Sequence, residues 1–215
     1  MDLRLRGKRA LVTGSSRGIG RTIALSLADL KVDVAINFFR HRAPVEAVVR
    51  EIEARGARAL LVKGNVADEA HVSRMFDEIE AAWGGLDILV SNAASGVLKP
   101  VSELTLHHFH WTMDINAAAL LPLVQHFLHL PAQGPRSVVA VSSLGAVRAI
   151  PNYTAVGASK AALESMVRHL AAELAHRACA STRSPPERWT PTPSNTSPTA
   201  SNSWTSRPVA RRPGA

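Results

Sequence analysis

Val12-Thr13-Gly14-Ser15-Ser16-Arg17-Gly18-Ile19-Gly20 decides the fold of this chain. It lies between an apolar run, Ala10-Leu11-Val12, and an amphipathic run over 19–30, an order that predicts strand, glycine-rich turn and helix. Such a turn offers backbone N–H groups and the positive end of a helix dipole to a phosphate. Gly14 is expected to permit the tight turn, Gly18 the approach of a pyrophosphate, and Gly20 the packing of helix on strand. Ser16, Arg17 and Ile19 complete the expected phosphate cradle. Ordinary turns also use glycine, so the rest of the chain has to carry the argument.

The alternation continues outward. Runs at 9–13, 33–37, 59–63, 87–91 and 137–142 have strand composition, and helical patterns at 19–30, 44–55, 69–83 and a longer pair over 104–130 separate them. This repetition predicts an α/β fold: a Rossmann-type, doubly wound parallel sheet with ligands at the carboxyl ends of its strands. With 215 residues, 46% of them hydrophobic, one domain with a full core is the default.

Composition narrows the function. The formal charge of +8 is concentrated at the end: residues 1–176 hold 19 Lys and Arg against 16 acids, whereas 177–215 hold six Arg and one Glu. Mixed charge along the body is the pattern of a solvated surface, and no nucleic-acid partner is expected. The N-terminus is charged from Asp2 to Arg9, and the most apolar stretch, 117–130, is broken by Pro122, Gln125, His126 and His129. Neither a signal peptide nor a membrane span is expected. A single cysteine, Cys179, gives no internal disulfide and no metal-ligand spacing, consistent with a metal-free cytoplasmic protein.

The strand ends carry the candidate chemistry. After Ile36 come Asn37, Phe38, Phe39, Arg40, His41 and Arg42, where a site selective for NADH would place an acid against the ribose 2′-hydroxyl. Arg40 or Arg42 suits a 2′-phosphate instead, and Arg17 in the glycine turn is expected to approach the same phosphate, which favours NADPH. Gly64-Asn65-Val66 and Ser91-Asn92-Ala93-Ala94 end the next two strands and suit an adenine and a ribose. Asn116 lies in a helical pattern that it does not favour. Ser143 follows the fifth strand, Tyr153 comes ten residues later and Lys160 seven after that. Seven residues make nearly two helical turns, so Tyr153 and Lys160 share a face if a helix begins near Tyr153. An ammonium beside a phenol favours the phenolate and makes the hydroxyl a better acid–base partner at neutral pH.

Thr13-Gly14 to Gly20, Asn92-Ala93-Ala94, Asn116, Ser143, Tyr153 and Lys160, in this order, resemble the short-chain dehydrogenase/reductase family over residues 7–176. The resemblance implies catalysis by Asn116, Ser143, Tyr153 and Lys160 with NAD(P)H across the sheet edge. The common family spacing would put the tyrosine at Val156, which has no proton to give. The longer Tyr153–Lys160 interval is similar to that of NADPH-dependent enoyl-acyl-carrier-protein reductases of type III. That class implies reduction of a trans-2-enoyl thioester, carried on acyl carrier protein or coenzyme A, in fatty acid synthesis. Tyr153 would bond the thioester oxygen, Lys160 the nicotinamide ribose, Ser143 the carbonyl, and Asn116 a proton-relaying water. The family also implies a homotetramer. The alternatives are another short-chain reductase, such as one acting on 3-oxoacyl thioesters, and a non-catalytic NADPH-binding protein.

From residue 177 the composition changes. Residues 177–215 hold seven of the 13 prolines and are rich in Ser and Thr, which predicts a disordered tail and a sheet that lacks its last strands. Taking the last base of each codon with the first two of the next, the segment from Ala178 onward can encode VRVNAVSAGAVDTDALKHFPNR. This string has the strand, turn and helix that the family implies here. The expectation is that the tail is an out-of-frame translation and that the chain is impaired.

Overall fold

The computed structural model describes residues 5–40 and 42–179, the last four by their backbone only. Arg9–Val12 forms β1, all four residues buried, between β2 (Asp33–Phe38) and β4 (Ile88–Ser91). With β3 (Ala59–Lys63) and β5 (Ser137–Ala140), these strands make a parallel sheet in the order β3-β2-β1-β4-β5. The chain runs outward from β1 to β3, then returns past β1 to start β4. The carboxyl ends of β1 and β4 therefore flank the point where the winding reverses, the crevice in which such sheets bind ligands.

The crossover helices cover both faces. Helices α1 (Gly18–Asp29) and α2 (Ala43–Ala54) bury Ala24, Leu25, Ala28, Val45, Val48 and Ile52 against one face. On the other lie α3 (Glu69–Trp83), α5 (Leu120–His129) and α6 (Thr154–Cys179), with Met75, Phe76, Leu123, Phe127 and Leu163 in their core. Burial of these side chains at about 1.5–3 kcal/mol each is the main source of stability. The punctuation is local: the Asp68 carboxylate accepts from the His71 amide at 2.9 Å to start α3, and Gly84, at φ +70°, ends it.

At the amino ends of the strands, the wholly buried Asp87 carboxylate gathers three segments. It accepts from the Arg9 amide at 2.9 Å, the Arg9 guanidinium at 3.3 Å and the Gln133 amide at 2.6 Å. This clamp fixes the sheet at the end away from the ligand crevice.

The expected elements are present in order, with three differences. The pair expected over 104–130 is α4 (Leu106–Met113) and α5 joined by a π-helical turn, Asp114–Ala118. Strand β5 stops at Ala140: the Val141 amide still donates to the Ser91 carbonyl at 2.9 Å, and the chain leaves the sheet over Ser142 and Ser143. Helix α6 continues to Cys179, so the compositional boundary at 176 falls inside a helix. The rest of the expected disordered tail, 180–215, lies outside the described residues. Among the described residues no helix is long and apolar enough to cross a membrane.

Candidate active site

The glycine turn folds as its composition demands. Gly14 has φ +62°, and a Cβ there would meet the Ala93 Cα at 2.9 Å. A Cβ on Gly20 would come within 2.5 Å of the Gly14 carbonyl oxygen, so the helix meets the strand only without a side chain. Gly18 differs: φ is +54°, but nothing lies within 4 Å of the position its Cβ would take. Its backbone opens onto free space. Arg17 is the N-cap of α1 and supplies no side-chain cap, and the first turn carries no acid, so the amides there await an anion. Ser16 is half-buried in the turn, and Ile19 is exposed beside it.

Polar side chains tie the neighbouring strand ends to this turn. The Asn92 amide donates to the Thr13 and Gly14 carbonyls at 2.8 and 3.2 Å. The Thr13 hydroxyl accepts from the Asn92 and Ala93 amides, each at 2.9 Å. Asn37, buried at the end of β2, accepts from the Gly14 amide at 3.1 Å and donates to the Gly64 carbonyl at 3.0 Å. Arg40 is exposed just past β2, its guanidinium 5.7 Å from the Phe39 ring centre, while Arg42 pairs with Glu46 at 2.8 Å. Asn65 accepts from the Ala67 amide at 3.2 Å in the turn before α3, and Val66 is buried beside it.

The second group of residues lies at the end of β5. The Ser143 and Tyr153 hydroxyls are 3.1 Å apart. Asn152, at φ +59°, turns the chain immediately before Tyr153, a conformation asparagine tolerates. Tyr153 precedes the first residue of α6 and accepts from the Gly157 amide through its carbonyl, so it and Lys160 belong to one helical start, as their spacing requires. The buried Lys160 donates to the Val141 carbonyl at 2.7 Å, and burial holds its ammonium below the usual lysine range. Asn116 sits in the π-helical turn, accepting from the Ser95 amide at 2.8 Å and donating to the Ser159 hydroxyl at 3.0 Å. It is thus joined to the neighbour of Lys160 and to the loop after β4. An open cavity of about 440 Å³ adjoins Tyr153, lined by Ala146, Val147, Ile150 and Ala158 among others. A larger one of about 540 Å³, between α5, β5 and α6, contains none of these site residues.

A family model described as enoyl-(acyl carrier protein) reductase matches residues 14–180, including both groups. The chain belongs to the short-chain dehydrogenase/reductase family. A short-chain dehydrogenase from Burkholderia cenocepacia, solved in complex with NADP, is 38% identical, with a TM-score of 0.77 over 81% of this chain and 71% of that one. Among curated relatives, a hydroxynaphthalene reductase-like protein of Metarhizium brunneum is 38% identical over 174 residues, 80% of this chain. The 1-cyclohexenylcarbonyl-CoA reductase of Streptomyces collinus is 39% identical over 166 residues, 77% of this chain. The matches span 65% and 59% of the lengths of those two relatives.

Within this short-chain dehydrogenase/reductase domain, sequence reasoning did not single out Asn37, Thr13 and Ser159 as organisers. Each is a buried polar residue with a partner on another segment. The available signal was polarity in place of an aliphatic side chain at a strand end or on the inner face of a helix.

Proposed function

We propose that this chain carries the NADPH-binding and catalytic residues of a reductase acting on 2-enoyl thioesters. The observation that carries the reading is the Ser143–Tyr153 hydroxyl pair at 3.1 Å, with Lys160 held beside the same strand end at the longer spacing. The uncapped start of α1 and the open face of Gly18 suit a dinucleotide pyrophosphate, and Arg40 with Arg17 suits a 2′-phosphate. Asn92, Asn65 and Val66 would border the adenosine, and Lys160 the nicotinamide ribose. When bound, NADPH supplies the hydride.

The residues of the chain then divide the remaining work. Tyr153 donates a hydrogen bond to the thioester oxygen, stabilising the negative charge that develops there as the double bond is reduced. Ser143 holds the Tyr153 hydroxyl and orients the carbonyl. Lys160, anchored to the Val141 carbonyl at 2.7 Å, would hold its ammonium at the same strand end against the nicotinamide ribose. Asn116 keeps the loop after β4 and the start of α6 in register, and its resemblance role of holding a relay water belongs to the same proposal. The cavity next to Tyr153 has an aliphatic side, Ala146, Val147, Ile150 and Ala158, that suits an acyl chain, and a polar one with Arg148 and Thr154.

The relative named for a conjugated cyclic coenzyme A thioester supports an enoyl substrate. Those named for hydroxynaphthalene support the second reading, carbonyl reduction by the same tyrosine as proton donor. Nicotinamide absorbance followed with crotonyl and with acetoacetyl thioester separates the two. Preference for crotonyl supports the proposal, and preference for acetoacetyl overturns it. The acyl carrier, the role in fatty acid synthesis and the tetramer are parts of the same proposal. Exposed Leu106, Trp111 and Leu121 on α4 and α5 are the surface through which copies would meet, and sedimentation would read the mass.

A further inference from the structure

Among the described residues, the edge of β5 and the adjoining cavity form one unfilled seat. Among the described residues β5 pairs with β4 alone. The amides of Ser137 and Val141 donate to the Asp87 and Ser91 carbonyls, so the alternation of a parallel ladder turns the peptide groups of Val138 and Ala140 to the open side. Against that edge lies the 540 Å³ cavity, walled by Val124 and Phe127 of α5, Val138 of β5, and Val167, Leu170 and Leu174 of α6. On the other face Val139 is 51% exposed, although it belongs to a strand. A seat with free peptide groups along one side, an apolar wall from α5 and α6 on one face and the exposed Val139 on the other fits an extended strand with apolar residues on both faces.

The position of α6 gives the direction of that strand. Leu174 and Ala175, near the end of the helix, line the cavity together with Pro135 and Arg136, just before β5. A chain leaving α6 there would enter at the amino end of β5 and run parallel to it, the right-handed crossover such sheets require. The amino acids that follow are unsuited to the seat. Residues 180–215 contain one valine, no leucine and no isoleucine, and seven prolines, which lack the N–H a ladder needs. The neighbouring frame from Ala178, by contrast, can open with VRVNAV where the degenerate third bases allow it, aliphatic at alternate positions and short enough to pair with β5.

We infer that the chain from Ala178 onward is translated out of frame, and that the β5 edge with its cavity is the seat of the strand encoded in the neighbouring frame. The seat is complete without that strand, because its walls are packed into the core through Val124, Phe127 and Val138. The inference stands apart from the choice of substrate.

Three measurements test it, one on the coding DNA and two on the full 215-residue chain beside the same chain with the neighbouring frame restored after Arg177. The coding DNA is sequenced first, and codons unable to give VRVNAVSAGAVDTDALKHFPNR overturn the inference. Amide hydrogen exchange is then followed at Val138 and Ala140, with circular dichroism reporting that both chains are folded. The expectation is rapid exchange at both amides in the chain as it stands and slowing by about a hundredfold or more on restoration, as for amides entering a stable ladder. Leu170→Glu should lower the unfolding midpoint of the restored chain more than that of the original. Equal exchange in two folded chains overturns the seat. Protection already present in the original chain, rising with concentration and mass, assigns the edge to a second copy and also overturns it.

Discussion

Gly18 and Gly20, two residues apart at the start of α1, show what separates packing from binding. Gly20→Ala forces a methyl against the Gly14 carbonyl and the Asn92 amide, and should cost about 1–3 kcal/mol in denaturant unfolding. Gly18→Ala meets open space and pays only the left-handed backbone, about 1–2 kcal/mol, while NADPH affinity should fall more steeply because the lost space is where the pyrophosphate would lie. Equal losses of affinity relative to stability in the two variants would refute the assignment of Gly18 to the cofactor. Tyr153→Phe keeps the ring and removes the hydroxyl that faces Ser143; turnover should fall by about 10²-fold or more with NADPH binding retained. Lys160, proposed as a catalytic residue, carries a stability cost. Because burial depresses its folded-state value, the unfolded chain binds the proton more tightly, so stability rises with pH between the folded value and the ordinary one. Lys160→Met should therefore leave the unfolding midpoint at neutral pH unchanged or higher while abolishing turnover. A lower midpoint would mean that the bond to the Val141 carbonyl outweighs desolvation.

At the scale of elements, the sheet and its flanking helices were legible because period and punctuation agree. Aliphatic runs end in Gly14, Gly64 and Asn92, and Asp68 and Gly84 bracket α3 with the residues its ends require. The Tyr153–Lys160 interval was legible for the same reason, since a single helix start sets both residues. The π-helical turn was not, because Asp114–Ala118 has no composition that distinguishes it from the α-helix around it. Its cause is tertiary: Asn116 reaches Ser95 on one side and Ser159 on the other, and the backbone widens to let it. Asn37 escaped notice likewise, since its partners Gly14 and Gly64 are remote in sequence. Asn116→Ala removes both bonds and should reduce activity while increasing exchange at the Ser95 amide; an unchanged Ser95 amide would show that the loop after β4 is held by other contacts.

For the whole molecule, the two ends of the sheet are held by different chemistry. The amino ends depend on the buried Asp87 carboxylate, and Asp87→Ala strands the Arg9 guanidinium, an expected loss of about 3–5 kcal/mol that would bring unfolding close to ambient temperature. A loss below about 1 kcal/mol would mean that water reaches Arg9 freely. The carboxyl ends of β1, β2 and β4 are joined by neutral amides and hydroxyls with no carboxylate in those joints, and the exposed Arg17 and Arg40 stand beside them, the arrangement the proposed anion site needs. The wide turn between α4 and α5 adds a constraint of another kind. It holds a surplus residue that sets the rotational phase of one helix against the other, and removing any one of 114–118 would rotate α4 by about 100° relative to α5. Thr112, now enclosed against α6 and Gly96, would swing outward and Trp111 or Met113 would take its place. At its exposed positions, Asp114 and Ala118, the segment should therefore accept many exchanges of side chain, and across all five no change of length.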